Sequence, residues 1–405
     1  MNEFVVVLDS HRFDDTRISK QISSVDGPYH VLRLNLNFYP DRSGNPGNER
    51  AEVFDYVPTR NEYLNGLLMA AHTYLGGFCA RLEARMRREG IEREDAVLFH
   101  VHDPYLLGLA TKLAKRFPRS RVLYDRHEYY ETWTNRFGIS VPGLFEEKYG
   151  KKVSEVVFVS RAIDRLPECL VDKRTTVVPN YPEAGRFDRR LAEEKIESFG
   201  KGDVLAVYFG ALNLDFDRDM ETMFEVARCL MRSDATVRFE VAGRVFDRPL
   251  KEMMDHMEKE FGARMRYLGE IPYSEVIERT QRAHLGFFLL RPESPMWSEE
   301  RPVSPNKVYE FLLSGTIPVV KAVLDDRAMM ERCALLFDKE ATAEDIASAL
   351  LALIEDKERM RGMMRGCLAI APNFSWERVS EGYLQCYERL FASMRTAVES
   401  VGGNP

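Results

Sequence analysis

Short apolar runs alternate with longer amphipathic segments along the whole chain. The short runs have the length and composition of buried strands, and the segments between them have the period of helices. Strands are predicted in the first half at residues 4–8, 31–34, 96–101, 121–124, 156–159 and 176–178. In the second half they are predicted at 204–209, 237–242, 265–268, 285–290, 317–320 and 334–337. Strands that alternate with helices indicate parallel, doubly wound sheets, so the two sets predict two Rossmann-like α/β domains.

A change in composition marks the expected boundary between the domains. Residues 181–203 open with Pro182, become rich in charge and end in the polar sequence Gly200-Lys201-Gly202-Asp203. We therefore expect a first domain at 1–183, a linker at 184–203 and a second domain at 204–372. The remaining residues, 373–405, contain an amphipathic helix with no strand after it.

The segment 303–320 is expected to form a helix followed by a strand. Ser304 is predicted to be the N-cap and Pro305 the first helical residue. Apolar residues recur at helical spacing from Val308, whereas Lys307 and Glu310 lie on another face. A cation in the first turn faces the positive end of the helix dipole, which is unfavourable by up to ~1 kcal/mol. A lysine in this position therefore suggests that an anion binds beside it.

Composition places the chain among globular proteins and argues against several functions. Its 405 residues exceed what one hydrophobic core usually contains, so two or three domains are expected. The chain is 45% hydrophobic and 30% charged, and its net charge of -7 predicts no general attraction to nucleic acid. Six scattered cysteines without a C-x-x-C pair predict neither a zinc site nor a disulfide framework. With no signal-peptide pattern and no apolar stretch near ~20 residues, we expect a cytoplasmic protein.

Polar residues recur directly after the predicted strands, and this is the end of a parallel sheet at which ligands bind. In the first domain these residues are histidines and carboxylates: His11, His102, Asp103, His127 and Glu128. In the second domain they are glycines, cations and carboxylates: Gly210, Arg218, Arg244, Gly269, Glu270, Lys307 and Glu310. Cations in such a crevice suit a phosphate or pyrophosphate, and a neighbouring carboxylate suits the vicinal hydroxyls of a ribose.

Several short motifs are spread along the chain. The motifs in the first half are Asp15-Thr16-Arg17-Ile18-Ser19-Lys20, His102-Asp103, Tyr124-Asp125-Arg126-His127-Glu128 and Pro179-Asn180-Tyr181-Pro182. Those in the second half are Tyr208-Phe209-Gly210, Leu268-Gly269-Glu270-Ile271-Pro272 and, most specifically, Pro305-Asn306-Lys307-Val308-Tyr309-Glu310-Phe311 followed by Gly315 and Pro318-Val319-Val320. Together these motifs resemble those of the GT-B glycosyltransferases of family 4, a large retaining group that uses nucleotide sugars, and the resemblance covers nearly the whole chain. It implies the GT-B fold, in which two Rossmann-like doubly wound domains face a central cleft and a C-terminal helix crosses back to the first domain.

The resemblance also implies a reaction and a role for each motif. Glu310 would accept the ribose hydroxyls of a UDP or GDP sugar, while Lys307 and Arg218 would neutralise the diphosphate, so that no metal or other cofactor is required. The nucleotide-sugar site would be completed by Gly210, Arg244, Gly269, Glu270 and Ile271. His127 would act beside the transferred sugar, with an acceptor side formed by His11, His102, Asp103 and Glu128. The sugar would pass with retention to a hydroxyl of a glycan or lipid-linked saccharide.

The chain departs from the family pattern at three places. Pro302 stands where the family has the first of two paired acidic residues, and the preceding loop offers possible replacements: Glu293, Glu299 and Glu300. Ala211 and Leu212 follow Gly210 where an arginine is usual, and Asp219 follows Arg218 where a glycine is usual. The first strand ends in Asp9-Ser10-His11 in place of a glycine pair.

Structural explanations stand beside these functional ones. Arg218 could pair with Asp215 or Asp217, Asp103 could cap the helix after Pro104, and His127 could be a hydrogen-bonded structural histidine. For the whole chain, the alternatives are a catalytically weak GT-B homologue that binds another transferase and a GT-B sugar-nucleotide epimerase.

A group of basic residues in the first domain has two interpretations. The group comprises Lys112, Lys115, Arg116, Arg119 and Arg121, and an apolar segment at 63–78 precedes it. Relatives with lipid-linked acceptors dock on anionic membranes through such surfaces, which would place the protein at the inner face of the membrane. The alternative is an ordinary solvated basic face.

Overall fold

The computed structural model describes residues 2–11, 15–37, 51–55, 64, 67–68, 71, 77–134, 137–162, 166–214, 217–294, 298 and 301–399. The chain forms two compact units. Unit 1 consists of Met1–Pro179 and Val379–Pro405, and unit 2 consists of Asn180–Arg378. Each unit has its own parallel sheet and its own apolar core. No helix within the described part of the chain is long and apolar enough to cross a lipid bilayer.

Unit 1 is built on a seven-stranded parallel sheet. Its strands are β1 Glu3–Asp9, β2 His30–Asn37, β3 Ala51–Asp55, β4 Ala96–Val101, β5 Ser120–Arg126, β6 Glu155–Phe158 and β7 Arg174–Val177. They lie in the order β3-β2-β1-β4-β5-β6-β7. Every residue of β4 is buried, as expected for a strand covered on both faces. Because β1 pairs with both β2 and β4, the winding direction reverses there, and a crevice is expected at the carboxyl ends of β1 and β4.

Helices cover the sheet of unit 1. They are α1 Thr16–Val25, α2 Gly77–Arg88, α3 Leu107–Ala114, α4 Val141–Tyr149, α5 Glu168–Val171 and the C-terminal helix Glu381–Glu399. Asp15 caps α1, since its side chain accepts hydrogen bonds from the N–H groups of Arg17 (2.9 Å) and Ile18 (3.2 Å). The C-terminal helix packs beside α1 and against β4, β5 and β7, so residues from both ends of the chain share one core.

Unit 2 is built on a six-stranded parallel sheet of the same winding pattern. Its strands are β8 Val204–Phe209, β9 Val237–Ala242, β10 Met265–Tyr267, β11 Leu285–Leu289, β12 Ile317–Lys321 and β13 Leu335–Phe337. They lie in the order β10-β9-β8-β11-β12-β13, so the winding reverses between β8 and β11. The helices are α6 Arg189–Ser198, α7 Met220–Ser233, α8 Arg248–Phe261, α9 Tyr273–Arg282, α10 Asn306–Leu313, α11 Arg327–Met330, α12 Ala343–Glu355, α13 Lys357–Ile370 and α14 Trp376–Val379. Short 3₁₀ helices in the two units are Pro104–Leu106, Tyr130–Thr132, Gly150–Lys152, Ala184–Arg186, Gly262–Arg264 and Ala371–Phe374.

Helix α10 lies directly on the sheet of unit 2 because Gly286 in β11 has no side chain. A Cβ atom at Gly286 would lie 2.6 Å from ring atoms of Phe311, closer than any real contact. Val308, Phe311 and Leu312 are buried, which confirms the apolar stripe predicted for this helix. The close packing fixes the height and rotation of α10, and therefore the positions of the polar residues on its other face.

The prediction of parallel, doubly wound sheets is confirmed in both units. Every predicted apolar run forms a strand. Strand β3 was not predicted, because it is a five-residue edge strand whose sequence includes two acidic residues. The predicted N-cap of α10 was wrong by one residue. Pro305 occupies the cap position, and Ser304 Oγ instead lies 2.9 Å from the Tyr309 hydroxyl.

The chain passes from unit 1 to unit 2 after Pro179 and returns to unit 1 after Arg378. Residues 180–183, expected in the first domain, belong to unit 2, as do the linker residues 184–203. The linker is largely helical: its charged stretch forms α6, whose Ala192 and Ile196 are buried in the core of unit 2. Of the expected C-terminal segment 373–405, residues 373–378 belong to unit 2 and residues 379–405 to unit 1.

Candidate functional site

Three glycine turns lie close together at the carboxyl ends of the first three strands of unit 2. Gly210 follows β8, Gly243 follows β9, and Gly269 comes shortly after β10. The Gly210 N–H donates to the Ala242 carbonyl, and the Gly243 N–H donates to the Gly269 carbonyl, both at 2.8 Å. A Cβ atom at Gly243, where φ is 139°, would lie 1.8 Å from the Gly210 carbonyl oxygen. Backbone therefore packs on backbone here, and only glycine fits at position 243.

Lys307 lies over the first of these glycines. A Cβ atom at Gly210 would be 2.7 Å from Lys307 Cε and 3.0 Å from Nζ, so the absence of a side chain at Gly210 makes room for the ammonium group. Lys307 forms no ion pair with any residue that the structure describes. Burial lowers the pKa of Lys307, Glu310 opposes this shift, and Arg218 adds to it. Lys307 is therefore a half-buried cation with no bonded carboxylate among the residues that the structure describes.

The first turn of α10 adds backbone donors beside this lysine. Its cap residue, Pro305, makes no side-chain hydrogen bond to the helix. The first N–H groups of a helix have no partner within it, and the helix dipole makes this end positive. Lys307, the second residue of α10, therefore places its charge beside backbone groups that also favour an anion.

Glu310 lies one turn further along α10 and is 8% exposed. Its Oε1 accepts a hydrogen bond of 2.8 Å from the Tyr273 hydroxyl. Burial and the neighbouring Glu310 carboxylate raise the pKa of Tyr273, which keeps the phenol protonated as a donor. Tyr273 was not among the predicted site residues. The available signal was its position as the first residue of α9, directly after the Gly269-Glu270-Ile271-Pro272 loop.

The two predicted arginines occupy different environments. Arg218 contacts the Asp217 carboxylate and lies 4.6 Å from the centre of the Phe288 ring, so the pairing with Asp217 considered from the sequence is present. Asp215, the other partner considered, lies outside the described residues. Arg244 is exposed, with its guanidinium 5.4 Å from the Phe246 ring centre, and its carbonyl accepts from the Leu212 N–H. Arg218 is thus close to Lys307 but partly neutralised.

The loop after β10 contributes mainly through its backbone. Gly269 adopts φ 72° and accepts the hydrogen bond from Gly243, while the Glu270 side chain is exposed. Ile271 packs against a small apolar cluster that includes Phe209 and Phe311. Its side chain is therefore part of the packing, which leaves the peptide groups of this loop as the possible ligand contacts.

The structure places Glu293 in a different pocket of unit 2. That cavity, of about 590 Å³, is lined by Asp219, Glu221, Thr222, Arg291, Pro292, Glu293, Lys321, Lys339, Glu340, Ala341 and Thr342, and includes neither Lys307 nor Glu310. Asp219, which stands at the glycine position of the family pattern, caps α7 and pairs with buried Lys321 at 2.5 Å. The other two possible replacements, Glu299 and Glu300, lie outside the described residues.

In unit 1, buried histidines gather at the ends of β4 and β5. His102 Nδ1 lies 3.0 Å from His127 Nε2, and the two rings stack with centres 5.1 Å apart. His102 Nε2 lies 3.3 Å from Gln21 Oε1, and His100 Nε2 lies 3.4 Å from Asp125 Oδ2. Burial lowers the pKa values of His102 and His127 well below the usual range, so both rings are neutral at pH 7.

Asp125 is the charged centre of this cluster. Its Oδ1 accepts from Arg17 at 2.8 Å, and its Oδ2 accepts from the Tyr383 hydroxyl at 2.5 Å. Burial alone would raise the pKa of Asp125, but Arg17 and the neighbouring histidines hold it well below its usual value. His100, His102 and Asp125 also have the mutual spacing of metal ligands. Because Arg17 already supplies the positive charge and would repel a divalent ion, we assign these groups to a hydrogen-bond network.

The other predicted acceptor-side residues surround His127. The His11 ring centre is 5.2 Å from that of His127, and His11 Nδ1 lies 3.5 Å from Asp103 Oδ2. Burial lowers the pKa of His11, but Asp103 and Asp9 raise it more, so its net shift is upward. Glu128, the residue after His127, is half-buried.

Asp103 does not cap the short helix after Pro104, which was the structural alternative for this residue. That helix has no side-chain cap hydrogen bond. Asp103 Oδ2 instead accepts hydrogen bonds from the Ser10 N–H at 2.8 Å and the Ser10 hydroxyl at 2.9 Å. Asp103 therefore ties the loop after β4 to the end of β1, at the point where the winding of the sheet reverses.

Six buried polar residues of the unit 1 network were absent from the predicted site: Arg17, Gln21, His100, Asp125, Tyr383 and Tyr387. Arg17 and Asp125 were noted only as members of motifs. Gln21 lies on the apolar face of α1 with Ile18 and Val25, and His100 interrupts an apolar strand. A polar residue at an otherwise apolar position was the signal available in the sequence. The two tyrosines come from the C-terminal helix and carry no such local signal.

Several members of the basic group of unit 1 contact other residues of the same unit. Arg116 forms a salt bridge of 2.6 Å with Glu83, which also pairs with Arg87 and Arg93. Arg119 and Arg121 each reach a backbone carbonyl: that of Glu94 at 3.4 Å and that of Ser393 at 3.5 Å. Most of the preceding apolar segment lies outside the described residues.

No family model matches this chain, and no curated protein matches its sequence. Among solved structures, it is similar to sucrose-phosphate synthase from Thermosynechococcus elongatus, with a TM-score of 0.69 and 13% identity over 97% of this chain and 100% of that one. It is also similar to α,α-trehalose 6-phosphate synthase from Burkholderia multivorans, with a TM-score of 0.67 and 12% identity over 99% and 100% of the two chains.

A third similar structure is that of HepE from Anabaena in complex with UDP and glucose. Its TM-score is 0.66, with 13% identity over 95% of this chain and 99% of that one. At this level of identity the likenesses concern the fold. They show that the two α/β units together have the GT-B fold over almost the whole chain.

Proposed function

We propose that this protein is a retaining glycosyltransferase that moves a sugar from a nucleotide diphosphate sugar to a hydroxyl of a glycan or lipid-linked saccharide. The position of Lys307 carries the proposal. Lys307 lies in the uncapped first turn of α10, over Gly210 and beside Arg218, and forms no described ion pair. A diphosphate bound here would contact the Lys307 ammonium group, the backbone N–H donors of α10 and the nearby Arg218 guanidinium simultaneously.

Glu310, on the same face of α10, would provide further contacts to the nucleotide-sugar substrate. Glu310 Oε1 is held by Tyr273, and its other oxygen has no hydrogen-bond partner among the described residues, so Oε2 can accept the ribose hydroxyls. The peptide groups of Gly243 and Gly269 would border the base and the phosphates. A UDP-type donor is supported by the similar HepE structure, which holds UDP and glucose.

The chemistry requires stabilisation of a departing diphosphate and removal of one proton from the acceptor. Lys307, Arg218 and the α10 N-terminus would stabilise the negative charge that develops on the diphosphate, in place of a divalent cation. The departing phosphate oxygen would then take the acceptor proton on the same face of the sugar, which retains the anomeric configuration. His127 would hold a hydroxyl of the sugar or the acceptor through a ring nitrogen.

A second candidate is a catalytically weak homologue that binds another transferase. Two observations favour it. Pro302 removes one of the paired acidic residues of the family pattern, and Asp217 partly neutralises Arg218. Donor turnover by the purified protein separates the two candidates, because only the enzyme consumes a nucleotide sugar and loses that activity in Glu310→Ala.

The direct test is product analysis with a panel of UDP and GDP sugars, with and without saccharide acceptors. We expect nucleotide release that depends on an acceptor, and a product with the anomeric configuration of the donor by NMR. Lys307→Ala and Glu310→Ala should each reduce turnover at least 100-fold, whereas Lys259→Ala, an exposed lysine at the end of α8, should not. No turnover with any donor contradicts the proposal, and an epimerised donor formed without acceptor indicates the epimerase.

If the acceptor is lipid-linked, the basic group of unit 1 would provide an electrostatic attachment to anionic membranes. Lys112 and Lys115 lie on and just after α3, next to Arg116. Flotation with phosphatidylglycerol and phosphatidylcholine vesicles tests this attachment. We expect salt-sensitive binding to the anionic vesicles alone, reduced in Lys112→Ala/Lys115→Ala, and binding to neither kind would exclude it.

A further inference from the structure

A directional chain of buried polar contacts links Asp125, the charged centre of unit 1, to His127, and all its links after the first are hydrogen bonds. Its members are all buried except His127, which is partly accessible. They come from β4, β5, α1 and the C-terminal helix, and in order along the chain of bonds they are Asp125, His100, Tyr387, Gln21, His102 and His127. Because each neutral member must donate on one side and accept on the other, the state of the first group decides the state of the last.

The chain of bonds starts at Asp125, which is ionised and can only accept. Arg17 and Tyr383 occupy its two oxygens as donors. Two ring nitrogens lie near Asp125 Oδ2 without a hydrogen bond to it: His100 Nε2 at 3.4 Å and His102 Nδ1 at 3.6 Å. A lone pair on His100 Nε2 would face the carboxylate with no donor beside it, whereas a lone pair on His102 Nδ1 can accept from His127 Nε2 at 3.0 Å. We therefore place the hydrogen of His100 on Nε2. His100 Nδ1 is consequently an acceptor, and the Tyr387 hydroxyl, 2.6 Å away, donates to it.

The next link fixes the orientation of the Gln21 side-chain amide. The Tyr387 oxygen has given its hydrogen to His100 and must accept from Gln21, so the group 2.6 Å from it is Nε2. The opposite orientation would place two acceptor oxygens against each other. With Nε2 towards Tyr387, the Gln21 carbonyl oxygen points to His102 Nε2 at 3.3 Å.

The last two links are the histidines. Gln21 Oε1 can only accept, so His102 Nε2 carries the hydrogen, and Nδ1 of this neutral ring holds a lone pair. His127 Nε2 lies 3.0 Å from that lone pair and must donate to it. Since the His127 ring is also neutral, its Nδ1 carries no hydrogen.

We propose that Gln21 is a positioning residue that fixes the tautomer of His127 through His102, so that His127 presents an unprotonated Nδ1 as a hydrogen-bond acceptor for a hydroxyl group. The use of this nitrogen in sugar transfer rests on the proposed function, whereas the tautomer does not. The opposite tautomer would present an N–H at the same place and repel a hydroxyl hydrogen. Gln21 therefore determines how His127 binds a hydroxyl group, although Gln21 itself does not contact the substrate.

NMR of the full chain with ¹⁵N-labelled histidine rings tests the tautomer directly, because protonated and unprotonated ring nitrogens resonate in separate regions. The His127 signals are assigned from their loss in His127→Phe. In the wild-type protein we expect an unprotonated Nδ1 and a protonated Nε2. In Gln21→Met, which keeps the length of the side chain and removes both polar groups, we expect a mixture of tautomers.

The matched control is Ile18→Val, a buried change on the same helix that does not touch the network. It should leave the His127 tautomer as in the wild-type protein. Tyr387→Phe is a milder second variant, because it removes one of the two acceptors that orient Gln21 and leaves His100 Nδ1, 3.0 Å from Gln21 Nε2. It should give a smaller fraction of the opposite tautomer than Gln21→Met. A protonated Nδ1 in the wild-type protein, or an unchanged His127 tautomer in both Gln21→Met and Tyr387→Phe, would overturn the proposal.

A kinetic measurement separates this inference from the proposed function. In Gln21→Met, kcat/KM for transfer should fall about tenfold or more, as expected when a proton-handling group is misdirected. The dissociation constant of the nucleoside diphosphate should stay unchanged, because its proposed site is built from unit 2. An unchanged kcat/KM in Gln21→Met would contradict the role of Gln21. Absence of transfer in a wild-type protein with the expected tautomer would contradict the proposed function alone.

Discussion

The Tyr273 hydroxyl, at the start of helix α9, donates a hydrogen bond of 2.8 Å to Oε1 of Glu310 in helix α10. Tyr273 therefore fixes one carboxylate oxygen of Glu310, while Oε2 has no hydrogen-bond partner among the described residues and is available to a ligand. A carboxylate fixed in this way can bind vicinal hydroxyls with less loss of side-chain entropy than a freely rotating one. The interaction connects the loop expected to border the base with the residue expected to bind the ribose.

Replacing Tyr273 by Phe should weaken binding of the preferred nucleoside diphosphate about fivefold, roughly 1 kcal/mol, since one hydrogen bond to a carboxylate is lost. The effect should be smaller for the 2′-deoxynucleotide, which lacks one of the hydroxyls. Calorimetric titration measures both. In a Glu310→Ala background the same change should have no effect, and equal effects in the two backgrounds would show that Tyr273 does not act through Glu310.

Gly210→Ala and Gly243→Ala should behave differently, although both add one methyl group. At Gly210 the new Cβ atom meets the flexible end of Lys307, which can move. We therefore expect nucleotide affinity to fall about tenfold with little change in the melting temperature. At Gly243 the new atom meets the Gly210 carbonyl, so unfolding in urea should show a loss of about 3 kcal/mol or more. Equal effects of the two changes on stability would contradict this assignment.

Asp219→Gly, which restores the glycine of the family pattern, should destabilise this protein. Asp219 pairs with buried Lys321 and caps α7, so its loss leaves an unpaired buried cation. We expect a loss of about 3–5 kcal/mol in the free energy of unfolding, measured in urea. The double variant Asp219→Gly/Lys321→Met should recover most of this loss, and no recovery would mean that the ion pair is not its cause.

The free energy of unfolding should fall as the pH is lowered from 6.5 to 4.5. Burial lowers the pKa values of His102 and His127, and burial with Lys195 lowers that of His284 to about 3. Below pH 6.5 these groups take up protons in the unfolded chain before they do so in the folded one. Each therefore removes up to about 1.4 kcal/mol per pH unit. His11, whose pKa is raised against the effect of burial, acts in the opposite direction and offsets part of the fall.

Urea unfolding at pH 7.0 and pH 5.0 measures this dependence. His284→Asn should make the fall shallower, because the new amide oxygen can still accept from the Leu205 N–H but does not titrate. Stability that is constant or higher at pH 5.0 would show that these rings are not held neutral in the folded protein.

The fold could be predicted from the sequence because buried parallel strands are continuous apolar runs. Edge strand β3, with its mixed sequence, lacked that signal. The residues proposed to bind the nucleotide sugar could be predicted for a similar reason. Gly210 follows a strand, and Lys307 and Glu310 lie within the first five residues of helix α10, where local sequence indicates position. Tyr273 was missed although it directly follows the loop at 269–272, because its role depends on its contact with Glu310, 37 positions away.

The unit 1 network could not be predicted, because its order depends on partners far apart in sequence. Gln21 contacts His100 across 79 positions and Tyr387 across 366 positions. Helical and strand periodicity can place each residue on a buried face, but they do not determine which buried polar groups meet. The prediction of Ser304 as the N-cap of α10 was wrong for a related reason. Its hydroxyl contacts the Tyr309 side chain, and helical periodicity does not indicate such side-chain pairs.

Calorimetric titration of the purified chain with UDP, GDP, ADP and CMP tests the central claim, a nucleoside diphosphate site around Lys307 and Glu310, most directly. We expect binding of UDP or GDP, and a loss of about 10- to 100-fold in affinity for Lys307→Ala, as befits a charge-assisted contact to phosphate. Lys259→Ala should bind as the wild-type protein does. Absence of binding by all four nucleotides, or unchanged affinity in Lys307→Ala, would contradict the account.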